Sequence, residues 1–335
     1  MSFRCTLGVL FSALIIAGGC SRERPAVSWP AEASAPARRN VVFQTDWFPQ
    51  AEHGGFYQAL VKGFYSDAGL DVEIRPGGPG VGIKVPVAKG EIDFGMNRSD
   101  DVLVVASRGL PLVMVAAVLQ HDPQALMVHE ESPVKSFRDL KGRSVTASIG
   151  MAWIPFLQKK YGIKFDLKPN TYGLAAFLAD RDSIQQCFVT SEPFFAQERG
   201  VRVRTLPLAE SGYDVYHVIF CRRELVREAP ELVRAFVAAS LRGWRDYLGG
   251  NPAAAHAEIL KRNPQMSAEL LQYSREELLL RSLVTGDRNL GEDIGQLSLQ
   301  RLAREMDALL DLNIMDAPVS IGSVATREFL PPAPR

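Results

Sequence analysis

The chain has 335 residues, 47% of them hydrophobic and 23% charged, enough for two domains that each bury a core. Lysine plus arginine number 38 and aspartate plus glutamate 38, and this balance, with no local basic run, excludes the electrostatic footprint of a nucleic-acid binder. Four cysteines without a CxxC pair are too few for a disulfide scaffold and give no zinc-ligand spacing, so neither a metal site nor a cofactor is expected.

The opening MSFRCTLGVLFSALIIAGGC has one basic residue, Arg4, then an apolar stretch from about Cys5 to Ala17. That stretch is shorter than the roughly 20 apolar residues that span a bilayer, and it suits the apolar region of a secretory signal. Ala17, Gly18 and Gly19 precede Cys20, so residues 1–19 resemble a bacterial lipoprotein signal, with Cys20 as the lipidated first residue. Ala17 stands where such signals usually carry Leu, and an ordinary cleaved signal with an incidental Cys20 is the alternative. Residues 20–40, with Pro25, Pro30 and Pro36 and almost no apolar periodicity, read as a disordered tether; residues 331–335 read as a Pro-rich tail. The expected body, about Val41 to Leu330, has no second long apolar segment and is read as exported and anchored through lipid.

Within the body, short apolar runs alternate with helical patterns. Strands are expected at Val41–Thr45, Val72–Ile74, Ile92–Met96 and Leu112–Val118, with helices over Gly55–Ala68, Val85–Lys89 and Ser99–Arg108. A second unit places strands at Ala125–His129, Ser144–Ser148, Gln186–Val189 and Val201–Leu206. Helices around Ala152–Tyr161, Tyr172–Asp180 and Pro193–Arg199 lie between them. A strand at Val215–Cys221 leads into a helical C-terminal third, with helices over Leu225–Leu248, Pro252–Lys261, Ala268–Leu283 and Ile294–Leu312. Such alternation argues for an α/β fold with largely parallel sheets.

DWFPQAEHGGFYQALVKGFYSDAGLDVEI, then KGEIDFGM, then FRDLKGRSVTAS, is similar to the family of thiamine-pyrimidine-type ABC-transporter solute-binding proteins. That family includes relatives for riboflavin and for sulfonates or nitrate, and a branch of thiamine-pyrimidine synthases. The resemblance runs over about Val41–Leu248 and more loosely to the end. It implies a type II periplasmic-binding-protein fold: two α/β lobes, a ligand in the cleft between them, and crossovers near His121–Leu126 and Tyr213–Val218. Lobe 1 would hold residues 41–122 and 216–330, and lobe 2 residues 123–215. It also implies a small heteroaromatic ligand, an ABC permease with its ATPase as partners, and a monomer.

Asp46, Trp47, His53 and Tyr57 lie just past the first strand, where open α/β sheets bind ligands. Trp47 and Tyr57 can stack on a flat ring while Asp46 accepts from ring NH or amino groups. Core packing of both aromatics, a turn-capping Asp46 and a turn role for His53 are the competing readings. The glycine-rich loop Pro76–Lys84 is neither a P-loop nor GxGxxG and reads as a cleft-edge loop. Asn97 and Ser99 end the third strand and open a helix, where capping alone would explain Ser99. In the second lobe Ser148 and Met151 follow a strand where the resemblance places ligand contacts. Glu192, beside Pro193, is either a capping residue or a carboxylate facing the cleft opposite Asp46. Tyr213 would line the return crossover or form a plain turn. Cys187 and Cys221 can pair only if their Cα atoms come within about 7 Å.

The synthase branch resembles an enzyme that uses a pyridoxal-phosphate lysine, a histidine and a cysteine-rich run. At the corresponding places this chain has Asn97, Asp101 and Tyr213–His217. Without an amine or thiolates that chemistry has no carriers, so no catalytic residue is expected and a binding protein is the favoured reading. An envelope sensor domain that binds a ligand without transport is a further alternative.

Overall fold

The computed structural model describes residues 38–331. The signal-like segment, Cys20, the tether up to residue 37 and residues 332–335 lie outside the described residues.

Among the described residues ten strands follow one another: β1 (Arg39–Gln44), β2 (Leu70–Arg75), β3 (Phe94–Arg98), β4 (Leu112–Leu119) and β5 (Gln124–His129), then β6 (Ser144–Ala147), β7 (Asp166–Pro169), β8 (Ile184–Phe188), β9 (Val203–Pro207) and β10 (His217–Arg222). They form two five-stranded sheets, ordered β2-β1-β3-β10-β4 and β7-β6-β8-β5-β9. The two orders share one plan. In each sheet the fourth strand arrives from the other sheet and runs antiparallel to both neighbours, while the β1, β2, β3 and the β6, β7, β8 pairings are parallel. The chain crosses between sheets from β4 to β5 and returns from β9 to β10.

Parallel pairing needs helical crossovers. These are α1 (Gly54–Val61), α2 (Phe64–Asp67), α3 (Lys84–Lys89) and α4 (Ser99–Ser107) in the first unit, and α5 (Trp153–Tyr161), α6 (Ala175–Ala179) and α7 (Glu192–Glu198) in the second. The C-terminal third adds α8 (Arg223–Glu228), α9 (Pro230–Gly249), α10 (Ala253–Arg262), α11 (Ala268–Leu280), α12 (Leu299–Asp311) and α13 (Ile321–Val324). α9 packs on α1 and α12 on α4, so the helical third thickens the first sheet. Strand β4 is an edge strand yet all eight of its residues are buried. The C-terminal segment covers that edge, bridging Met114 to Ala325 and Ala117 to Gly295, which removes an exposed row of backbone donors and acceptors. Among the described residues no helix is long and apolar enough to cross a membrane.

Three expectations need correction. The helix over Gly55–Ala68 is two helices, because Gly63 adopts φ 73° between them. The helix over Leu225–Leu248 is also two, since Pro230 has no N–H to continue the ladder and opens α9. Strand β7 went unpredicted: its four residues are all exposed, so no apolar alternation marks it. Cys187 and Cys221 lie on different sheets and both are free and buried, so the pairing alternative does not occur.

The α1–α9 contact depends on absent side chains. A Cβ on Gly243 would lie 2.1 Å from the Gly55 carbonyl oxygen, and one on Gly55 would lie 2.2 Å from the Trp244 ring. Backbone cannot yield as a flexible side chain can, so Gly243→Ala is expected to cost at least about 1–3 kcal/mol. A chemical-denaturation midpoint equal to that of the parent would contradict this packing.

Candidate functional site

A cavity of about 400 Å³ opens between the sheets and is lined from both, within the range of roughly 300–1,000 Å³ usual for small-molecule sites. Its walls come from the C-terminal ends of the parallel strands β1, β3, β6, β7 and β8 and from the starts of β5 and β10. In such sheets the helices leave from these ends and the loops converge on one crevice.

On the first-sheet side, Asp46 follows β1. Its Oδ1 lies 2.8 Å from His53 Nε2 and its Oδ2 lies 3.4 Å from His217 Nδ1. Burial alone would raise the Asp46 carboxyl, but His217 and His53 outweigh it and hold the group well below the usual carboxylate range. His217 is itself buried, with Nε2 3.6 Å from Asp122, so its two contacts are ion-pair distances rather than normal hydrogen bonds. Burial pushes its pKa down; Asp122 and Asp46 more than compensate and raise it to about 9. His217 is therefore a cation already flanked by two carboxylates. Arg98 is in the same condition: Nε is 3.2 Å from Asp100, Nη2 is 3.1 Å from Asp101, and Nη1 donates to Met151 Sδ across the cleft at 2.8 Å.

A polar chain continues into the second sheet. Gln124 Nε2 donates to Asp122 at 3.0 Å, Gln186 Nε2 donates to Gln124 Oε1 at 2.6 Å, and the Ser148 amide donates to Gln186 Oε1 at 2.8 Å. Glu192, the first residue of α7, accepts from the Phe188 amide at 2.8 Å. Burial pushes its carboxyl up to about 7 against that hydrogen bond. Glu52 also reaches the cavity and accepts from the Thr190 hydroxyl, and burial raises its carboxyl too. Trp47 faces Tyr172 from the opposite sheet, with centroids 5.3 Å apart and planes tilted by 49°. Tyr172 is 57% exposed and holds a left-handed φ of 60°, with its amide donating to Asn170 Oδ1. Together the walls offer accepting carboxylates, paired cations and two aromatic faces. Among the described residues no cluster of His, Cys, Asp and Glu is arranged to hold a metal.

Of the residues singled out from the sequence, Asp46, Trp47, Asn97, Ser148, Met151 and Glu192 line the cavity. The other four are elsewhere. His53 stands behind Asp46 as its partner. Tyr57 is wholly buried in the core under Arg262, 5.5 Å from the ring centroid, because the turn of α1 carries it away from the cleft. Ser99 does not cap α4; its hydroxyl donates to Glu305 at 2.8 Å and accepts from the Tyr216 amide. The Tyr213 hydroxyl donates to Asp100 at 2.5 Å. The loop from Pro76 is likewise not part of the wall: Gly77 backs the Asp46–Trp47 turn, donating to the Trp47 carbonyl at 3.1 Å. Arg98, Gln124, Tyr172, Gln186 and His217 were missed. Gln124, which opens the apolar run of β5, and Gln186, beside Gln185 in β8, carried a readable signal as polar side chains on buried strands.

Two sheets of one strand order, joined by two crossovers around a cavity, define a periplasmic-binding-protein fold. The aliphatic sulphonate binding protein SsuA of Escherichia coli superposes with a TM-score of 0.64 at 15% identity, covering 85% of this chain and 96% of that one. Residues 50–255 match the family described as NMT1/THI5 like, and the chain belongs to that family. It is similar to riboflavin-binding protein RibY of Chloroflexus aurantiacus, 26% identical over 97% of each chain. A formylaminopyrimidine-binding protein of Halalkalibacterium halodurans is 25% identical, covering 72% of this chain and 76% of its own. A 4-amino-5-hydroxymethyl-2-methylpyrimidine phosphate synthase of Legionella pneumophila is 24% identical over 90% of this chain and 96% of its own.

Proposed function

We propose that this chain is a solute-binding protein that closes two lobes, residues 41–122 with 216–330 and residues 123–215, around a small flat heteroaromatic molecule bearing hydrogen-bond donors. A thiamine-precursor pyrimidine or a related ring is the class the site suits. The carrying observation is the charge pattern. Asp46 and Glu192 present carboxylates from opposite sheets, while Arg98 and His217 are already paired with carboxylates. An anion such as a sulfonate or nitrate would find no unpaired cation among these groups, whereas ring NH and amino groups would find acceptors. Trp47 and Tyr172 supply the flat faces.

In this reading the protein works outside the cytoplasm, anchored by lipid on Cys20, as a monomer that delivers its ligand to an ABC permease driven by its ATPase. Relatives named for binding riboflavin and formylaminopyrimidine support the binding role. Against the synthase reading, Asn97 and Asp101 stand where that branch's lysine and histidine would align. Their side chains are engaged in the fold: Asn97 accepts from the Arg98 amide and Asp101 from the Arg98 guanidinium.

The test is pH. With the Glu192 carboxyl at about 7, a ligand that donates to its ionised form should bind about tenfold more tightly per pH unit up to that value, then level off. Glu192→Gln should weaken binding and abolish the rise. A pH-independent affinity in the parent protein would remove Glu192 from the site.

A further inference from the structure

We propose that Tyr273 and Ser274 of α11, together with Glu52, are positioning residues for the Glu192 carboxylate, so that the helical C-terminal third takes part in holding the ligand. This rests on the reading of Glu192 as a ligand acceptor.

The segment that leads into Glu192 is the turn after β8, Val189 to Ser191, with Val189 and Thr190 buried. Turn carbonyls buried away from water must find donors or cost about 1–3 kcal/mol each. Here the donors to the Val189 and Thr190 carbonyls come from outside the second unit. The Tyr273 hydroxyl donates to the Val189 carbonyl at 3.1 Å. The Ser274 hydroxyl lies 2.6 Å from the Thr190 carbonyl and 2.7 Å from the Leu270 carbonyl, its one proton serving both. The Thr190 hydroxyl donates to Glu52, on the turn before α1. The Val189 amide is tied to Pro123 at the first crossover, 3.0 Å away. Thr190, Ser274 and Glu52 are all buried, and the Tyr273 ring packs on Phe194 of α7 with centroids 5.4 Å apart.

The turn is thus gripped by the first unit and by α11, although its backbone belongs to the second. Glu52, Phe188, Ser191 and Glu192 line the cavity, and the Phe188 amide is the group that orients the Glu192 carboxylate. Loosening the grip would let the turn and the start of α7 shift, admit water beside Glu192 and weaken that orientation.

The test pairs Tyr273→Phe/Ser274→Ala with Glu192→Gln in a double-mutant cycle, using 4-amino-5-hydroxymethyl-2-methylpyrimidine as calorimetric probe. It also follows the Glu192 carboxyl of the probe-free protein by carbon-13 NMR, assigned by its loss in Glu192→Gln. The Tyr273→Phe/Ser274→Ala protein should bind the probe about tenfold more weakly, and should cost less than about twofold once Glu192 is already Gln, because the two changes act through one group. In the probe-free protein the Glu192 midpoint should fall from about 7 toward the ordinary 4.5, since burial is what raises it. Ser274→Thr alone, which keeps the hydroxyl and leaves Tyr273 in place, should leave both at the parent values. An unchanged Glu192 midpoint, or an equal loss of affinity in the Glu192→Gln background, would overturn the proposal. The NMR midpoint decides it even if the probe fails to bind, an outcome that would count against the ligand class alone.

Discussion

Asp46→Ala is expected to destabilise the protein by about 3–5 kcal/mol, the range for removing one partner from a buried ion pair. The carboxylate holds two histidines at once, at 2.8 Å and 3.4 Å, and its loss leaves His217 beside Asp122 alone at 3.6 Å. Burial disfavours the imidazolium, so the pKa of His217 should drop from about 9 toward or below its ordinary 6.5. The sign of the pH dependence follows. A histidine whose folded pKa is raised contributes stability that is complete below 6.5 and lost as pH climbs through about 9; for His217 the amount is about 3 kcal/mol. Asp46 has a depressed folded pKa, so its contribution is present above 3.8 and lost as pH falls. Chemical denaturation of Asp46→Ala should therefore show a smaller alkaline loss than the parent. It should not vanish, because His121, paired with Asp214 at 2.7 Å and Glu292 at 3.2 Å, is also raised to about 9 and is untouched. Equal stability of the two proteins near pH 7 would contradict the account of this network.

Trp47→Ala is expected to weaken ligand binding by about ten- to a hundredfold, since stacking of one flat base on an aromatic side chain is worth roughly 1–3 kcal/mol. Trp47 lies at the cavity wall against Tyr172 and is only partly buried, so the melting temperature should change little. A ring inserted between the two aromatics must part them from their 5.3 Å contact; the exposed Tyr172 loop is the side free to move. Affinity within twofold of the parent would show that the ligand ring sits elsewhere.

Much of this was legible in the sequence because it rests on local patterns. The apolar runs that become β4 and β5 are buried along their whole length, and buried runs announce themselves. The place of Asp46, Trp47 and Glu192 at the cavity wall was readable because the cavity of such folds opens where a strand ends and a helix starts. What could not be read was pairing across long separations. His217 acquires its charge from Asp46 and Asp122, and neither neighbour in the chain hints at it. Arg98 has two partners close by in the chain, Asp100 and Asp101, but its contact with Met151 across the cleft joins residues 53 apart. Tyr57 erred the other way: an aromatic four residues past His53 suggests a cleft wall, but one turn of helix carries its ring into the core.

The most direct measurement is isothermal calorimetry of the purified protein with 4-amino-5-hydroxymethyl-2-methylpyrimidine, riboflavin, an alkanesulfonate and nitrate at matched ionic strength. The account predicts saturable binding of at least one heteroaromatic with one site per chain, lost in Asp46→Ala and reduced in Trp47→Ala, and no binding of either anion. Tight binding of the sulfonate or nitrate, with none of the ring compounds, would contradict it.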